Sequence, residues 1–528
     1  MNNRLRITRP RSSEPAAIVY IKHFRDCYLQ CTVTMELGVT GTILLALCVT
    51  VVLYVFTWRR KVRSKNLPPG PPTLPVLGTL LHVSVTELPK SLVQLSKTYG
   101  PVFTIFIGNT PMVVLAGYDC VKEALVDHSD VFSARGNAFF SSAVFKDYGI
   151  ALSNGDRWKQ LRRFSLTTLR NFGMGRRGIE ERIQEEARFL VERFRNNGEH
   201  LFDPSDSLRL AVSNVICSIV FGERFDYEDE KFMTLLSLLQ EQSTILASAS
   251  GIILNLLPSA SKFIPGPHRK VFTNIDNLKG FIRQAVENHK KSIDANCPRD
   301  FIDSFLIKME EEKDKPNTEF HFENLFGSVM DLFTAGIETT STTLKYALLI
   351  LLKYPDEARK MQAEIDKVIG QSRCPAMEDR SNMPYTNAAI HEIQRFADII
   401  PLGLAHAASK DTVFRGYNIP KDTIVSPLLT SILKDPKYFE QPEVFDPAHF
   451  LDENGHFKNN EAFLPFSTGK RSCLGEGLAR MEIFLMLTAL LQNFNLKSNK
   501  APEDLEVSPE PGTGGLVARK YQLYVEAR

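Results

Sequence analysis

Cys473 stands in the stretch FLPFSTGKRSCLGEGLAR, residues 463–480, between Gly469 and Gly475 and two residues after Arg471. Several chemistries use such a pattern. A phosphate loop needs G-x-x-x-x-G-K-[ST], yet Leu464 takes the first glycine position and Arg471 follows Lys470. Gly475-Glu476-Gly477 lacks the third glycine of a dinucleotide loop. A thiol nucleophile needs a partner histidine in a recognisable context, and none is evident. A buried structural cysteine, the usual fate of a lone thiol, needs neither glycines nor an arginine. A metal-bound thiolate uses both. Glycines let the backbone turn tightly and lie flat against a planar ligand, where a Cβ would collide. They also aim N–H groups at the sulfur and tune its electron donation.

The residues after Cys473, GEGLARMEIFLMLTALLQNF, are apolar almost all round and predict a buried helix. Its positive N-terminal end favours the thiolate. Arg471 offers a bidentate fork for a carboxylate such as a haem propionate. A thiolate on haem iron favours O–O cleavage.

At this point the residues resemble a family. Phe466-x-x-Gly469-x-Arg471-x-Cys473-x-Gly475 is similar to the haem-binding signature of the cytochrome P-450 monooxygenases. The resemblance runs from about Met35 to the C-terminus. It is strongest to the vertebrate microsomal family 2 enzymes, through RRFSLTTLRNFGMG, AGIETTSTTLKYALL and FLPFSTGKRSCLGE. It implies haem b with Cys473 as axial iron ligand and electrons that come from NADPH indirectly. An NADPH-dependent reductase would deliver them, with a cytochrome b-type protein as a second donor.

Other motifs gain meaning beside this one. A long helix is predicted through residues 322–355, stopping at Pro355. Its middle, Ala335-Gly336-Ile337-Glu338-Thr339-Thr340, is a weak spot of glycine and β-branched residues. Taken alone it is either a packing groove or a place where Thr339 bonds back within the helix and opens it. Gly336 would let a ligand approach. The resemblance makes Glu338 and Thr339 a proton-delivery pair. Glu392 and Arg395, at i,i+3, would normally be a solvated surface pair. The resemblance makes them a buried lock, with His449 in place of the usual third-partner arginine. Histidine there can be neutral, which puts a fully ionic network in doubt.

Trp158 and Arg162, at i,i+4, share a helix face; the bland account is a core tryptophan beside a surface arginine. The resemblance makes both donors to a haem propionate, with Arg135 and His406 as further contacts. Lys159, Arg163, Lys470 and Arg480 would form a basic face for an acidic electron-transfer partner, or simply a solvated one. The resemblance also places Phe139, Ile150, Leu332, Ala335, Leu402 and Val517 along the substrate pocket, beside Phe140, Phe333, Leu404 and Leu516. These side chains are apolar, and no cluster of fixed charges dictates one anionic or cationic ligand.

The chain as a whole sets the frame. At 528 residues its net charge is +2, which leaves no nucleic-acid footprint. Its eight cysteines are scattered without a C-x-x-C pair, as in a reduced compartment. Residues 37–57, LGVTGTILLALCVTVVLYVFT, are 21 positions without a charge. As a helix they would span ~31 Å, against a hydrocarbon core of ~30 Å. WRRKVRSK follows, which fits a retained anchor with the body on the cytoplasmic side rather than a cleaved signal. Residues 1–34 carry six basic residues that fit this topology poorly. They read as an upstream extension absent from the working protein, which would begin at Met35.

We therefore expect a mainly α protein with a small β portion. Residues 35–57 form the anchor, 58–78 a basic and proline-rich linker, and 79–528 one large haem-binding domain. The expected activity is insertion of one oxygen atom into a fatty acid (arachidonic acid is one example), a steroid or a foreign lipophile at the endoplasmic reticulum membrane. A peroxide-rearranging haem-thiolate isomerase would need neither Glu338 nor Thr339. A haem-binding sensor or sterol-binding protein would show no turnover.

Overall fold

The apolar residues that alternate around Gly108-Asn109 form a hairpin. β1 (Val102–Ile107) pairs antiparallel with β2 (Thr110–Ala116), Val102 opposite Leu115 and Ile107 opposite Thr110. This computed structural model describes residues 66–75, 77–84, 86–136, 147–172, 177–247, 269–510 and 517–528. It also describes 41–50, Arg25, Tyr28, Val52 and Gly266. The chain divides into two units, Met1–Asn66 and Leu67–Arg528. In the first, residues 41–50 are helical, and the rest of the expected anchor lies almost wholly outside the described residues. Among the described residues no helix is long and apolar enough to cross a membrane.

The second unit is mainly helical. α1 (Leu88–Tyr99) precedes the hairpin. After it come α2 (Gly155–Asn171), α3 (Arg177–Asn197), α4 (Ser205–Val220), α5 (Glu230–Ala247), α6 (Lys270–Ser292) and α7 (Phe301–Glu311). The predicted long helix is α8 (Phe322–Lys353); Pro355 then opens α9 (Pro355–Val368), where its missing N–H costs nothing. α10 (Pro384–Ala397) carries the E-x-x-R motif. β3 (His406–Ala407), β4 (Thr412–Phe414), β5 (Tyr417–Ile419) and β6 (Ile424–Leu428) follow. α11 (Glu476–Asn493) leaves the cysteine loop, and β7 (Phe494–Lys497) pairs with β8 (Tyr524–Ala527). The largest sheet has the order β1-β2-β6-β3, with β2 and β6 parallel.

Two features position the site. α8 and α11 are buried along most of their length in one core with α3, α4 and α10, so both sit at the centre of the body. The proline-rich stretch is packed rather than free. The Thr104 N–H donates to the Pro69 carbonyl at 2.8 Å, and a Cβ on Gly70 would lie 1.9 Å from the Thr104 oxygen. Residues 67–78 therefore belong to the body, which begins at Leu67, and do not form the expected spacer.

Candidate functional site

The cysteine loop doubles back on itself before the sulfur. Cys473 N–H donates to the Phe466 carbonyl at 2.9 Å, and Ser472 N–H to that of Gly469 at 3.1 Å. Gly469 sits at φ +75°, and a Cβ there would lie 2.0 Å from the Leu125 carbonyl oxygen. The Leu125 backbone is one reason this position needs glycine. Gly475 meets nothing within 4 Å and caps α11. Cys473 is accessible, yet protein surrounds it closely enough that burial raises its thiol pKa. The Gly475 N–H opposes that rise, as does the more distant charge of Arg162.

Trp158 and Arg162 do share a face of α2, and both reach this loop. The Arg471 guanidinium lies over the Trp158 ring, 3.8 Å from its centroid. Arg162 Nη2 donates to the Ser472 carbonyl at 2.7 Å. Arg471 also donates to the carbonyls of Ser133 (2.8 Å) and Ser153 (2.7 Å). Arg135 donates to those of Leu404 (2.7 Å) and Ala405 (2.9 Å). Burial, and then the charges of Arg135 and Arg162, press the Arg471 pKa down to about 8. Burial and Arg162 press that of Arg135 to about 10. Guanidinium groups nonetheless keep their proton in proteins.

Three neighbouring cations with no ion pair among the described residues call for an anion. The buried Trp158 Nε1 donor also lacks a partner. That donor set, beside an accessible thiol, fits a dianionic, sulfur-ligated cofactor such as haem. His406 fits less simply. Its Nδ1 bonds the Phe132 carbonyl at 2.7 Å, and burial, reinforced by Arg135, pushes its pKa to about 3. Neutral with Nδ1 protonated, it presents a bare Nε2, which accepts rather than donates.

On α8, Thr339 Oγ1 donates to the Ala335 carbonyl at 2.6 Å, as expected, and Ser341 and Thr343 make the same i−4 bond. The helix nonetheless runs unbroken. Thr334 and Ala335 are exposed in its middle while flanking turns are buried. A Cβ on Gly336 would meet the Ile216 side chain of α4 at 2.6 Å, so this glycine lets the two helices pack closely. Burial raises the Glu338 pKa, against the pull of Arg209.

A residue the motifs did not point to is Asp331. Its Oδ2 accepts from the N–H groups of Ile150 (2.6 Å) and Ala151 (2.9 Å). The Ala151 carbonyl in turn accepts from Arg135 (3.2 Å) and Arg471 (3.4 Å). Asp331 thus holds the segment that holds two of the three arginines. Burial raises its pKa to about 6, against those two N–H bonds.

Of the expected substrate residues, Ile150 is buried, Leu332 half-buried and Ala335 exposed. Leu402 packs on the sheet core and Val517 is largely exposed. Phe333 turns away into the core, 5.5 Å from the Phe221 ring. Phe139, Phe140 and Leu516 lie outside the described residues.

Glu392 and Arg395 form a fully buried two-pronged pair, at 2.7 Å for each prong. The rest of the fork caps the carbonyls of Leu433, Pro442 and Val444. His449 Nδ1 lies 3.2 Å from Glu392 Oε2, near enough for charge attraction but poorly aligned for a hydrogen bond. Its Nε2 bonds the Glu440 carbonyl. Acceptors on both sides favour the protonated ring: burial lowers the His449 pKa, but Glu392 and the Glu440 carbonyl raise it more, for a net rise.

The family model for Cytochrome P450 matches residues 68–525. The chain is 54% identical to cytochrome P450 2C8 of Homo sapiens over 456 residues, 86% of this chain and 93% of that protein. It is 52% identical to cytochrome P450 2A4 of Mus musculus over 460 residues, 87% of this chain and 93% of that protein. With cytochrome P450 2A13 of Homo sapiens it shares 49% over 486 residues, 92% and 98% of the two chains. Three arginines without an ion pair among the described residues, close to a glycine-bounded thiol, and identity near one half over most of the length lead to one assignment. The chain belongs to the cytochrome P450 family, similar to its vertebrate family 2 members, and is an oxygen-incorporating oxidoreductase of the monooxygenase kind.

Proposed function

We propose that this protein is a membrane-anchored haem-thiolate monooxygenase that hydroxylates or epoxidises lipophilic substrates, with electrons from an NADPH-dependent reductase. The observation that supports it best is the cluster next to Cys473: Arg471 stacked on Trp158, Arg162 bonded to the Ser472 carbonyl, and Arg135 close enough to depress the pKa of both Arg471 and His406. Cys473 would ligate the iron of haem b, while Arg135, Trp158, Arg162 and Arg471 hold its propionates. Beside those carboxylates the depressed His406 pKa would rise, turning Nε2 into a donor. Haem iron with a thiolate ligand supplies the activation of dioxygen. Thr339, whose hydroxyl would exchange its Ala335 bond for one to a water, and Glu338, whose pKa burial raises, would pass protons inward from solvent.

Apolar Ile150, Leu332, Ala335, Leu402 and Val517, with Phe139, would line the substrate side. They favour fatty acids, steroids or foreign lipophiles over ions. Exposed Lys470 and Arg163 would present the basic face to an acidic reductase and to a cytochrome b-type donor. The uncharged run at 37–57 would anchor the protein in the endoplasmic reticulum membrane, body in the cytoplasm.

The test is Cys473→Ala. It should abolish the red-shifted Soret band that carbon monoxide gives with ferrous haem-thiolate, while replacing any other cysteine spares it. Retention of the band in Cys473→Ala overturns the reading. NADPH consumption that depends on the reductase then separates a monooxygenase from an isomerase or a binding protein.

A further inference from the structure

α10 ends in an unusual way. Its C-cap is Asp398, a non-glycine residue in the left-handed region at φ +44°. Aspartate tolerates that region better than most side chains, though at a cost that its surroundings must offset. What offsets it is a tie across the fold, because the Thr430 hydroxyl donates to Asp398 Oδ2. Thr430 itself donates its N–H to the Pro401 carbonyl at 3.1 Å. Between these two bonds the chain folds tightly, with Gly403 N–H on the Ile400 carbonyl (3.0 Å) and Ser426 Oγ on the Leu402 carbonyl (3.0 Å). The same short segment ends in the Leu404 and Ala405 carbonyls that hold Arg135. On the other side, buried Asp398 Oδ1 and Tyr346 Oη of α8 both lack partners among the described residues. Tyr346 lies seven residues, about two turns, beyond Thr339 on α8.

We propose that Asp398 is a specificity-determining positioning residue: its carboxyl, tied to Thr430, sets the placement of the substrate-side segment 399–404 relative to Arg135 and α8. The proposal rests on the reading above that this segment faces the substrate. Asp398 touches no substrate itself. It acts through the carbonyls and side chains that follow it. Burial, with Thr430, Lys434 and Arg395 pulling the other way, raises its pKa to about 7.

The variants separate backbone from side chain. Asp398→Gly relieves the left-handed strain but removes the tie. Asp398→Asn tolerates the same φ and keeps an acceptor for Thr430. Thr430→Val removes the tie from the other end. Amide hydrogen exchange of the full protein should show faster exchange at Gly403 and Thr430 in Asp398→Gly and Thr430→Val, with Asp398→Asn restoring protection. On a lipophile that gives two oxidised products, the product ratio should shift by about tenfold in the first two variants and return in the third. Unchanged exchange at both amides in Asp398→Gly overturns the proposal. Leu402→Phe tests the underlying reading. If it leaves the product ratio alone, the segment does not face substrate and the specificity claim falls with that reading. If Leu402→Phe shifts the ratio and Asp398→Gly does not, the proposal alone is overturned.

Discussion

The backbone of Leu125 stands where a side chain on residue 469 would have to go. A Cβ on Gly469 would lie 2.0 Å from that carbonyl oxygen, at a φ of +75°. Gly469→Ala should therefore cost roughly 1–3 kcal/mol from strain, with the collision added. We expect it to lose the thiolate-type carbon monoxide band at lower temperature than the parent does. Gly475→Ala, with open space around it and φ −91°, should keep the band. Equal behaviour of the two would remove Leu125 from the account.

Arg471 and Trp158 make a separable pair. Arg471→Lys keeps one charge but loses the planar stack and most of the carbonyl bonds, so haem should bind more weakly. A desolvated cation–π contact alone is worth about 0.5–2 kcal/mol, or roughly 2–30-fold in affinity. Trp158→Phe keeps a ring under the guanidinium and loses only the Nε1 donor, so its loss should be smaller. The measure is haem bound per polypeptide, with far-ultraviolet circular dichroism to show that the body still folds.

His449 provides a pH test. Its folded pKa is raised above 6.5, so its contribution is fully present below about pH 6.5 and fades as pH rises through the folded value. His449→Gln has no such titration. The thermal midpoint of the parent should exceed that of His449→Gln most at pH 6 and least at pH 9. A gap that widens with pH would mean the ring is neutral in the folded protein.

Thr339→Val keeps the shape of the helix and removes the hydroxyl. Electron consumption should continue while product per NADPH falls and hydrogen peroxide rises. Proton assistance of this kind is worth ~10²–10⁴ in rate, although water can replace part of it. Unchanged coupling in both Thr339→Val and Glu338→Gln would return this turn of α8 to a packing role.

A protein begun at Met35 should enter microsomes with its C-terminus open to added protease, and with full activity. Reversed orientation or lost activity would give residues 1–34 a role.

Much of this site is short-range and was legible as such. Glu392 with Arg395, Trp158 with Arg162, and the Thr339 back-bond are one helical turn apart, and helix geometry alone puts each pair together. Pro355 marked its boundary by a backbone rule. Long-range partners left no such trace. Asp331 meets residues about 180 positions away, and its value lies in two N–H groups that no side-chain pattern reveals. The reasons for Gly336 and Gly469 likewise sit on distant chain, in Ile216 and Leu125, so a glycine could be flagged but not explained. The charge of His449 depends on Glu392 and Glu440 together, which no local pattern shows.

Carbonyls and a tryptophan face are what serve the cations Arg135, Arg162 and Arg471. For the life of the protein in a cell, that makes the newly made chain a poor investment until its dianion arrives. A ligand that binds only the folded form stabilises it by about 2.7 kcal/mol at a hundredfold excess over its dissociation constant. Chains without it open more often and are cleared by proteases sooner. Haem supply would then set how much of this protein accumulates, and not only how much of it works.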